Sequence, residues 1–387
     1  MWQAIASRTI SLLSFIGFLL LSLALLVVTG TLSLNLFIDV DNGRIISIVL
    51  IAVIATAVFL FNLAFFQILH YFASKNSRQS YQTKKDKWLE KWNEVLWNDA
   101  QVPKTHELIA AEALLEMAEN MSLDYQSKFQ EIYKESGLLA YDLRTLKYNN
   151  LSEDRARALE HLAIIADTGN TKILEKEIKN PILELSILAL FALAKTYAKA
   201  EVSSEKIIEI FVPIIDSDRF SMGIIEEALV LLEDNAKDLL YYLSRPTTKE
   251  KQVRASLAAI GYFANLEWAE WCVPWLSSFD PETQAAALKA LVNMRYVPAH
   301  AYSEIYKALE SPKWFVRNQA VNASIGVLSE KINEYLVKAI SDEAWWVRYN
   351  AASVLAQKGK SGQSLLKQIA TSHEDPYARD IAKHFLG

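Results

Sequence analysis

The side chains in this sequence that could hold a metal or act as nucleophiles are few and scattered. It contains six histidines and a single cysteine, Cys272. No two histidines have the i, i+4 spacing of a metalloprotease helix, and Cys272 has no histidine near it in the chain. The histidines are His70, His106, His161, His300, His373 and His384. We therefore expect no metal site and no catalytic residue, with Cys272 as a small core residue.

Phosphate-binding loops and a basic surface are also missing from the sequence. Glycine occurs only 11 times in 387 residues, and none of the glycine-rich nucleotide motifs is present. The chain has 40 lysines and arginines against 45 aspartates and glutamates, for a net charge of -5. Because nucleic acid is held largely by positive charge, we expect neither a nucleic-acid partner nor a cofactor.

Tryptophan is the residue type whose positions best suggest binding. Three indoles surround Cys272, and adjacent aromatic pairs recur at two later places. These residues are Trp268, Trp271, Trp275, Trp314, Phe315, Trp345 and Trp346. Neighbours on a helix point about 100° apart, so one ring of each pair should lie at the surface or in a groove between repeats. This predicts a partner-binding surface; the alternative is that the rings fill junctions between helices.

The aromatic pairs lie within a repeated pattern that must position them. An arginine follows a small or branched apolar residue at separations of 63, 31 and 31 residues, and Gln284-Ala285 occupies the missing place. The arginines are Arg254, Arg317, Arg348 and Arg379. Each is preceded by a turn and followed by small residues. A period of about 31 residues is typical of stacked helical hairpins.

Residues 249–387 resemble the short bacterial HEAT repeats that are also seen in phycobilin lyases. The second helix of such a repeat is roughly D-x-x-x-V-R-x-x-A-A-x-x-L. Its positions are matched by Asp342, Val347, Arg348, Ala351, Ala352 and Leu355. The resemblance implies an α-solenoid. Within it we interpret Arg254, Arg317, Arg348, Arg379 and Asp342 as a structural arginine ladder, in which an aspartate caps a helix and an arginine reaches the cap of a neighbouring repeat.

The ladder motif fades upstream of residue 249. Glu184 or Leu185 stands where an arginine is expected, although alanine, leucine and glutamate at helical spacing continue. We therefore predict an all-α region with divergent helical repeats at 88–248 and HEAT-like repeats at 249–387.

Two apolar stretches precede the repeats. Residues 9–28 form a 20-residue window without charge, and residues 45–72 form a second long apolar stretch, with a polar turn between them. A helix needs about 20 apolar residues to cross a bilayer. Residues 1–72 are therefore predicted to form a transmembrane hairpin. The alternative for the first stretch is a cleaved signal peptide, whose apolar core is usually shorter, at about 7 to 15 residues.

The charges beside these stretches predict orientation. Residues 73–87 form a basic juxtamembrane linker whose Lys75, Arg78, Lys84, Lys85 and Lys87 would face anionic lipid headgroups. By the positive-inside rule the protein is a multi-pass inner-membrane protein with its amino terminus and solenoid in the cytoplasm.

An apolar helical face begins after this linker. Its residues are Trp88, Leu89, Trp92, Val95 and Leu96. The spacing predicts the first core face of the soluble region; the alternative is a face that lies on the membrane surface.

Two classes of function follow from these features. The first is a non-enzymatic, membrane-anchored scaffold whose solenoid binds a membrane protein partner, since stacked repeats give an extended binding face. The resemblance implies that this partner is a membrane glycosyltransferase of envelope or exopolysaccharide machinery. The alternative is a membrane-tethered enzyme that resembles a bilin lyase or, less closely, a DNA glycosylase.

Overall fold

The structure, a computed structural model, describes residues 43–246 and 248–386. Across these two ranges the chain forms helices and loops and contains no β-strand. The prediction of an all-helical region after residue 88 is therefore confirmed for the residues described.

The helices are numbered in chain order. They are α1 (Gly43–Trp97), α2 (Leu108–Glu119), α3 (Gln126–Glu135), α4 (Leu138–Tyr148), α5 (Ser152–Ile165), α6 (Thr171–Glu177), α7 (Leu183–Ala198), α8 (Ser204–Asp216), α9 (Met222–Val230), α10 (Lys237–Leu243), α11 (Glu250–Phe263), α12 (Ala269–Cys272), α13 (Pro281–Met294), α14 (Tyr302–Leu309), α15 (Trp314–Ala323), α16 (Ile332–Ala339), α17 (Trp345–Gln357), α18 (Gly359–Ser372) and α19 (Pro376–His384). Short 3₁₀ helices span Leu123–Tyr125, Thr168–Asn170, Glu233–Ala236, Leu266–Trp268, Val273–Ser277, Ala299–Ala301 and Ser324–Gly326.

These elements fall into two units. The first comprises residues 43–100 together with Leu108–Ala113, and the second comprises Gln101–Glu107 together with residues 114–386.

Helix α1 accounts for most of the first unit. It runs for 55 residues without a break, because no proline or glycine interrupts the sequence after Gly43. The predicted second span, 45–72, and the predicted linker, 73–87, therefore lie on one helix with no boundary between them.

The predicted transmembrane hairpin is not supported by the structure. Within the ranges described, no helix meets the length and hydropathy expected of a membrane-crossing segment. The first predicted span, residues 9–28, lies outside the described residues.

The last turns of α1 carry the core of the first unit. Trp88, Trp92, Val95 and Leu96 are buried, so this face lies in a protein core, as its spacing predicts. The rings of Trp88 and Trp92 stack with their centroids 5.3 Å apart. The indole N–H of Trp92 donates to the carbonyl oxygen of Ala110 at 2.9 Å.

The second unit is a succession of packed helix pairs. Along this unit α5, α7, α9, α11, α13, α15 and α17 pack one against the next, and helices such as α10 and α14 pack beside them. This order of contacts is compatible with an α-solenoid.

Small residues permit the close approach of these helices. A Cβ atom on Gly261 would lie 3.0 Å from the Cα atom of Ala290, so α11 and α13 pack almost backbone to backbone. Gly326 is tighter still, because a Cβ atom there would lie 2.9 Å from the backbone of Tyr296. The alanines after each ladder arginine, including Ala320 and Ala351, are fully buried.

Candidate functional site

Of the three tryptophans around Cys272, Trp268 is buried and Trp271 and Trp275 are half-buried. Trp268 is buried, with its ring stacked 5.2 Å from that of Trp271 and edge-on to Phe263. Trp275 is half-buried and donates its indole N–H to the carbonyl oxygen of Ser244 at 2.8 Å. Burial removes Trp268 from the candidate binding surface, whereas for the half-buried Trp271 and Trp275 partner binding stays a prediction.

Cys272 is fully buried in the same region. Burial raises the pKa of its thiol to about 12, so the reactive thiolate is suppressed at neutral pH. Among the described residues no group of three or more histidine, cysteine, aspartate or glutamate side chains is arranged to hold a metal ion.

The later aromatic pairs lie at the surface. Trp314 is 49% exposed, and Trp345 and Trp346 are 54% and 56% exposed, while Phe315 is half-buried. The rings of Trp345 and Trp346 meet edge to face with centroids 4.7 Å apart. Trp345 also stacks on Tyr349 at 5.0 Å, which holds the pair in place.

The start of each helix explains this exposure. Trp314 and Trp345 are the first residues of α15 and α17, and the third residues, Val316 and Val347, are fully buried. Because successive residues turn by about 100°, the two positions before a buried valine point away from the core. Both rings of the Trp345–Trp346 pair are therefore exposed, whereas in the earlier pair Trp314 is exposed and Phe315 is half-buried.

A further aromatic residue at an equivalent position escaped sequence analysis. Tyr377 lies two residues before Arg379, as Trp346 lies two residues before Arg348, and it is 72% exposed. Its constant distance of two residues from the ladder arginine could have identified it in the sequence. We define the aromatic stripe as Trp314, Phe315, Trp345, Trp346 and Tyr377.

The arginine ladder fixes the helix starts that carry the stripe. Arg317 donates from Nε and Nη2 to the two carboxylate oxygens of Asp342 at 2.6 and 2.8 Å, and both side chains are nearly buried. Arg348 Nη1 lies 2.5 Å from Asp375 Oδ2. Arg254 Nη1 lies 3.0 Å from Asp280 Oδ2. Each arginine thus joins its own helix to the start of a later one.

Two aspartates of the ladder, Asp280 and Asp375, are helix caps as well as ion-pair partners, whereas Asp342 stands two residues before Ala344, the N-cap residue of α17. Asp280 accepts from the backbone N–H of Thr283 at 2.9 Å, and Asp375 accepts from Tyr377 at 2.9 Å. Asp342 accepts from Ala344 at 2.8 Å. Arg379 Nη1 donates to the backbone carbonyl of His373, six residues earlier, at 2.6 Å, as Arg317 Nη1 does to that of Ser311 at 2.8 Å.

Two members of the same series lie upstream, where sequence analysis found no motif. Arg155 is the fourth residue of α5, as Arg317 is of α15, and its Nη2 lies 2.5 Å from Glu177 Oε2. Ser186, 31 residues later, is the fourth residue of α7 and donates to the carbonyl of Ile178. Arg219 donates from Nε to the hydroxyl of Ser186 at 2.9 Å. The spacing from 155 to 186 was the available signal.

The ion-paired carboxylates of the ladder lead us to expect that the stability of the fold decreases at acid pH. Desolvation raises the pKa of Asp280, Asp342 and Asp375, but hydrogen bonds and the nearby arginines outweigh it and leave each pKa below its ordinary value. A carboxyl with a lowered folded-state pKa stabilises the fold above its unfolded pKa, and this stability is lost as pH falls through the folded pKa. We expect the unfolding midpoint to fall steeply below about pH 4.

Thermal melts followed by circular dichroism across acid pH would measure this loss. Asp342→Asn should flatten the pH dependence, because one titrating carboxyl is removed. A wild-type midpoint that stayed constant through this range would contradict the assignment.

The basic residues of the predicted linker lie along α1. Lys75, Arg78, Lys84 and Lys87 are exposed and Lys85 is half-buried. They are therefore accessible as a positively charged segment of this helix.

A buried polar cluster in the second unit was also missed. The hydroxyl of Tyr133 donates to Asp142, and Nδ1 of His161 lies 3.1 Å from Asp142 Oδ2. All three side chains are buried, and burial followed by the charge of Asp142 raises the pKa of Tyr133. The cluster links α3, α4 and α5, and its burial leaves no access for a substrate.

Comparisons with known proteins give little beyond the geometry. No family model matches the sequence. No curated protein matches it. One solved structure, a crystal structure described as that of an engineered protein, is 22% identical and covers 63% of this chain and 93% of that chain, with a TM-score of 0.18. A similarity with so low a TM-score supports no argument about fold or function.

Proposed function

We propose that this protein is a non-enzymatic, membrane-anchored scaffold whose helical repeats bind a membrane protein partner through the aromatic stripe. The exposure of Trp345 and Trp346 on a frame of buried ion pairs is the observation that carries the proposal. Exposed tryptophans on a rigid support are typical of binding hot spots, because little conformational entropy is lost when they are covered.

The membrane anchor is supported by the sequence and by exposure along α1. Residues 9–28 and 45–72 are long apolar stretches, and Phe59, Leu60 and Phe61 are three consecutive exposed side chains that face different sides of the helix. A helix that is apolar all round needs lipid or protein around it. We place residues 1–72 in the inner membrane as a hairpin, with both ends in the cytoplasm.

The class of partner follows from the resemblance to HEAT repeats. Membrane-anchored proteins of this kind serve envelope or exopolysaccharide machinery, so a membrane glycosyltransferase is the partner we propose. Stacked repeats would bind it without a pocket or a cofactor.

Removal of the exposed rings should weaken partner binding without unfolding the protein. For the double variant Trp345→Ala with Trp346→Ala we expect at least about tenfold less partner in affinity capture from detergent-solubilised native membranes. Because both rings are exposed, the free energy of unfolding should change by no more than about 1 kcal/mol. Quantitative mass spectrometry of the captured proteins measures the first effect and denaturant unfolding the second.

The matched control is Tyr148→Ala, which removes an exposed aromatic ring at the end of α4. A photo-crosslinking amino acid at position 346, but not at position 148, should attach the partner covalently. Equal capture by the double variant and wild type would overturn the assigned binding face. Cleavage of the repeats by protease added to intact cells would overturn the orientation.

A further inference from the structure

Acidic side chains accompany the exposed aromatic rings at successive helix starts. Glu343 stands two residues before Trp345, and Glu374 stands three residues before Tyr377. The side chain of Glu343 is 88% exposed, although its carboxylate lies 3.4 Å from Arg317, and Glu374 is exposed as well. A ring and a carboxylate are therefore presented together at the starts of both α17 and α19.

The ladder arginines do not cancel this acidic character at the surface. The guanidinium of Arg317 is engaged by Asp342, and that of Arg348 by Asp375, and both ion pairs are largely buried. Arg348 also lies over the ring of Tyr377, with its central carbon 5.8 Å from the ring centroid. Exposed carboxylates therefore accompany the rings at the starts of α17 and α19, whereas the exposed Lys313 precedes Trp314 at the start of α15.

This combination fits a cationic ligand with an apolar stem. An ammonium or guanidinium group is attracted to the face of an indole and to a carboxylate, and the methylene stems of lysine and arginine pack on aromatic rings. The carboxylates would repel an anionic ligand, and a purely aliphatic ligand would leave them without a partner.

We infer that the aromatic stripe, with Glu343 and Glu374, binds a lysine- or arginine-rich peptide segment. This inference rests on the proposed function, because it assigns the peptide segment to the membrane protein partner. The cytoplasmic flanks of membrane helices are enriched in lysine and arginine, so such a partner presents this chemistry where an anchored scaffold would meet it. The negative charges of Glu343 and Glu374 are complementary to the positive charges of such a segment, and this favours it as the ligand.

The test uses a synthetic fluorescent peptide of alternating lysine and leucine, with glutamate replacing lysine in the comparison peptide. Binding to the full chain in nonionic detergent is followed by fluorescence anisotropy at two salt concentrations. We expect the lysine peptide to bind and the glutamate peptide not to bind. The double variant Trp345→Ala with Trp346→Ala should weaken binding about tenfold, since both ring faces are lost.

The carboxylates are tested by Glu343→Gln combined with Glu374→Gln. This change keeps side-chain shape and should weaken binding about threefold while reducing its salt dependence. Tyr148→Ala, far from these helix starts in the chain, should bind as wild type does.

Several results would overturn the inference. One is equal affinity for the two peptides, and another is unchanged binding after loss of both tryptophans. Competition by phosphatidylcholine added as mixed micelles with the same detergent would assign the stripe to lipid headgroups. A wild-type dimer that Trp346→Ala dissociates, seen by sedimentation, would assign it to a second copy of the chain. If partner capture depends on the tryptophans but the lysine peptide does not bind, only the inference of a cationic segment is overturned. If the lysine peptide binds but partner capture does not depend on the tryptophans, the proposed function is overturned.

Discussion

Arg317→Ala should lower the free energy of unfolding of the repeat region by about 3 kcal/mol. The substitution leaves the carboxylate of Asp342 nearly buried without its two charge-assisted hydrogen bonds, and it also frees the carbonyl of Ser311, which accepts from Arg317 Nη1 at 2.8 Å. An uncompensated buried charge costs more than the intact pair contributes. Denaturant unfolding followed by the helical circular dichroism signal measures the loss.

Lys338→Ala is the matched control for this prediction. The ion pair of Lys338 with Glu310 has a similar length, 3.0 Å, but its side chains are 74% and 56% exposed. Its removal should cost no more than about 0.5 kcal/mol, because water screens the pair. Arg317→Lys should fall between the two, since it keeps the charge and loses the bidentate geometry. An equal loss for Arg317→Ala and Lys338→Ala would contradict a structural role for the ladder.

Trp92→Ala should destabilise the first unit by about 4 kcal/mol. The side chain is fully buried, stacks on Trp88 and donates to the carbonyl of Ala110, so alanine creates a cavity and leaves that carbonyl without its donor. Hydrogen exchange of the amides from residue 85 to 97 measures the effect, because local opening should become faster.

Trp97→Ala is the control, since Trp97 lies on the same helix and is exposed. It should change the local opening free energy by less than about 1 kcal/mol. If Trp92→Ala instead reduced binding to anionic liposomes and left amide protection unchanged, the face would belong to the membrane surface. That outcome would contradict its assignment to the core.

Helical periodicity and the position of the arginines could be predicted from sequence because both arise from local spacing. Upstream, the same structural position is filled by Arg155 in one helix and by Ser186 in another, and the hydroxyl of Ser186 donates to the carbonyl of Ile178 and accepts from Arg219. A search for a repeated arginine cannot find a repeat in which serine occupies the arginine position. What recurs along the chain is the fourth position of the helix, and not the residue type that fills it.

The aromatic residues illustrate a different limit. Trp268, Trp271 and Trp275 have i, i+3 and i+7 spacing, and the sequence left open whether such rings bind a partner or fill junctions between helices; of the three, only Trp268 is buried. For Trp345 and Trp346 the 100° rule required only one exposed ring, whereas both are exposed because the next residue, Val347, occupies the core position.

The buried cluster of Tyr133, Asp142 and His161 could not be predicted from the sequence alone. Its members are separated by 9 and 19 residues and lie on three different helices. Only the packing of those helices brings the groups together, and no local spacing encodes it.

The ion pairs between successive helix starts limit how helical repeats, here called modules, can be removed or recombined. Arg254 meets Asp280, Arg317 meets Asp342 and Arg348 meets Asp375, so each pair is divided between consecutive modules. The module of α17 supplies Asp342 to one pair and Arg348 to the next, so it would carry both halves unpaired if it were excised from the array. Shuffling, duplication or deletion of modules therefore preserves a pair only where the new junction brings its arginine and its aspartate together.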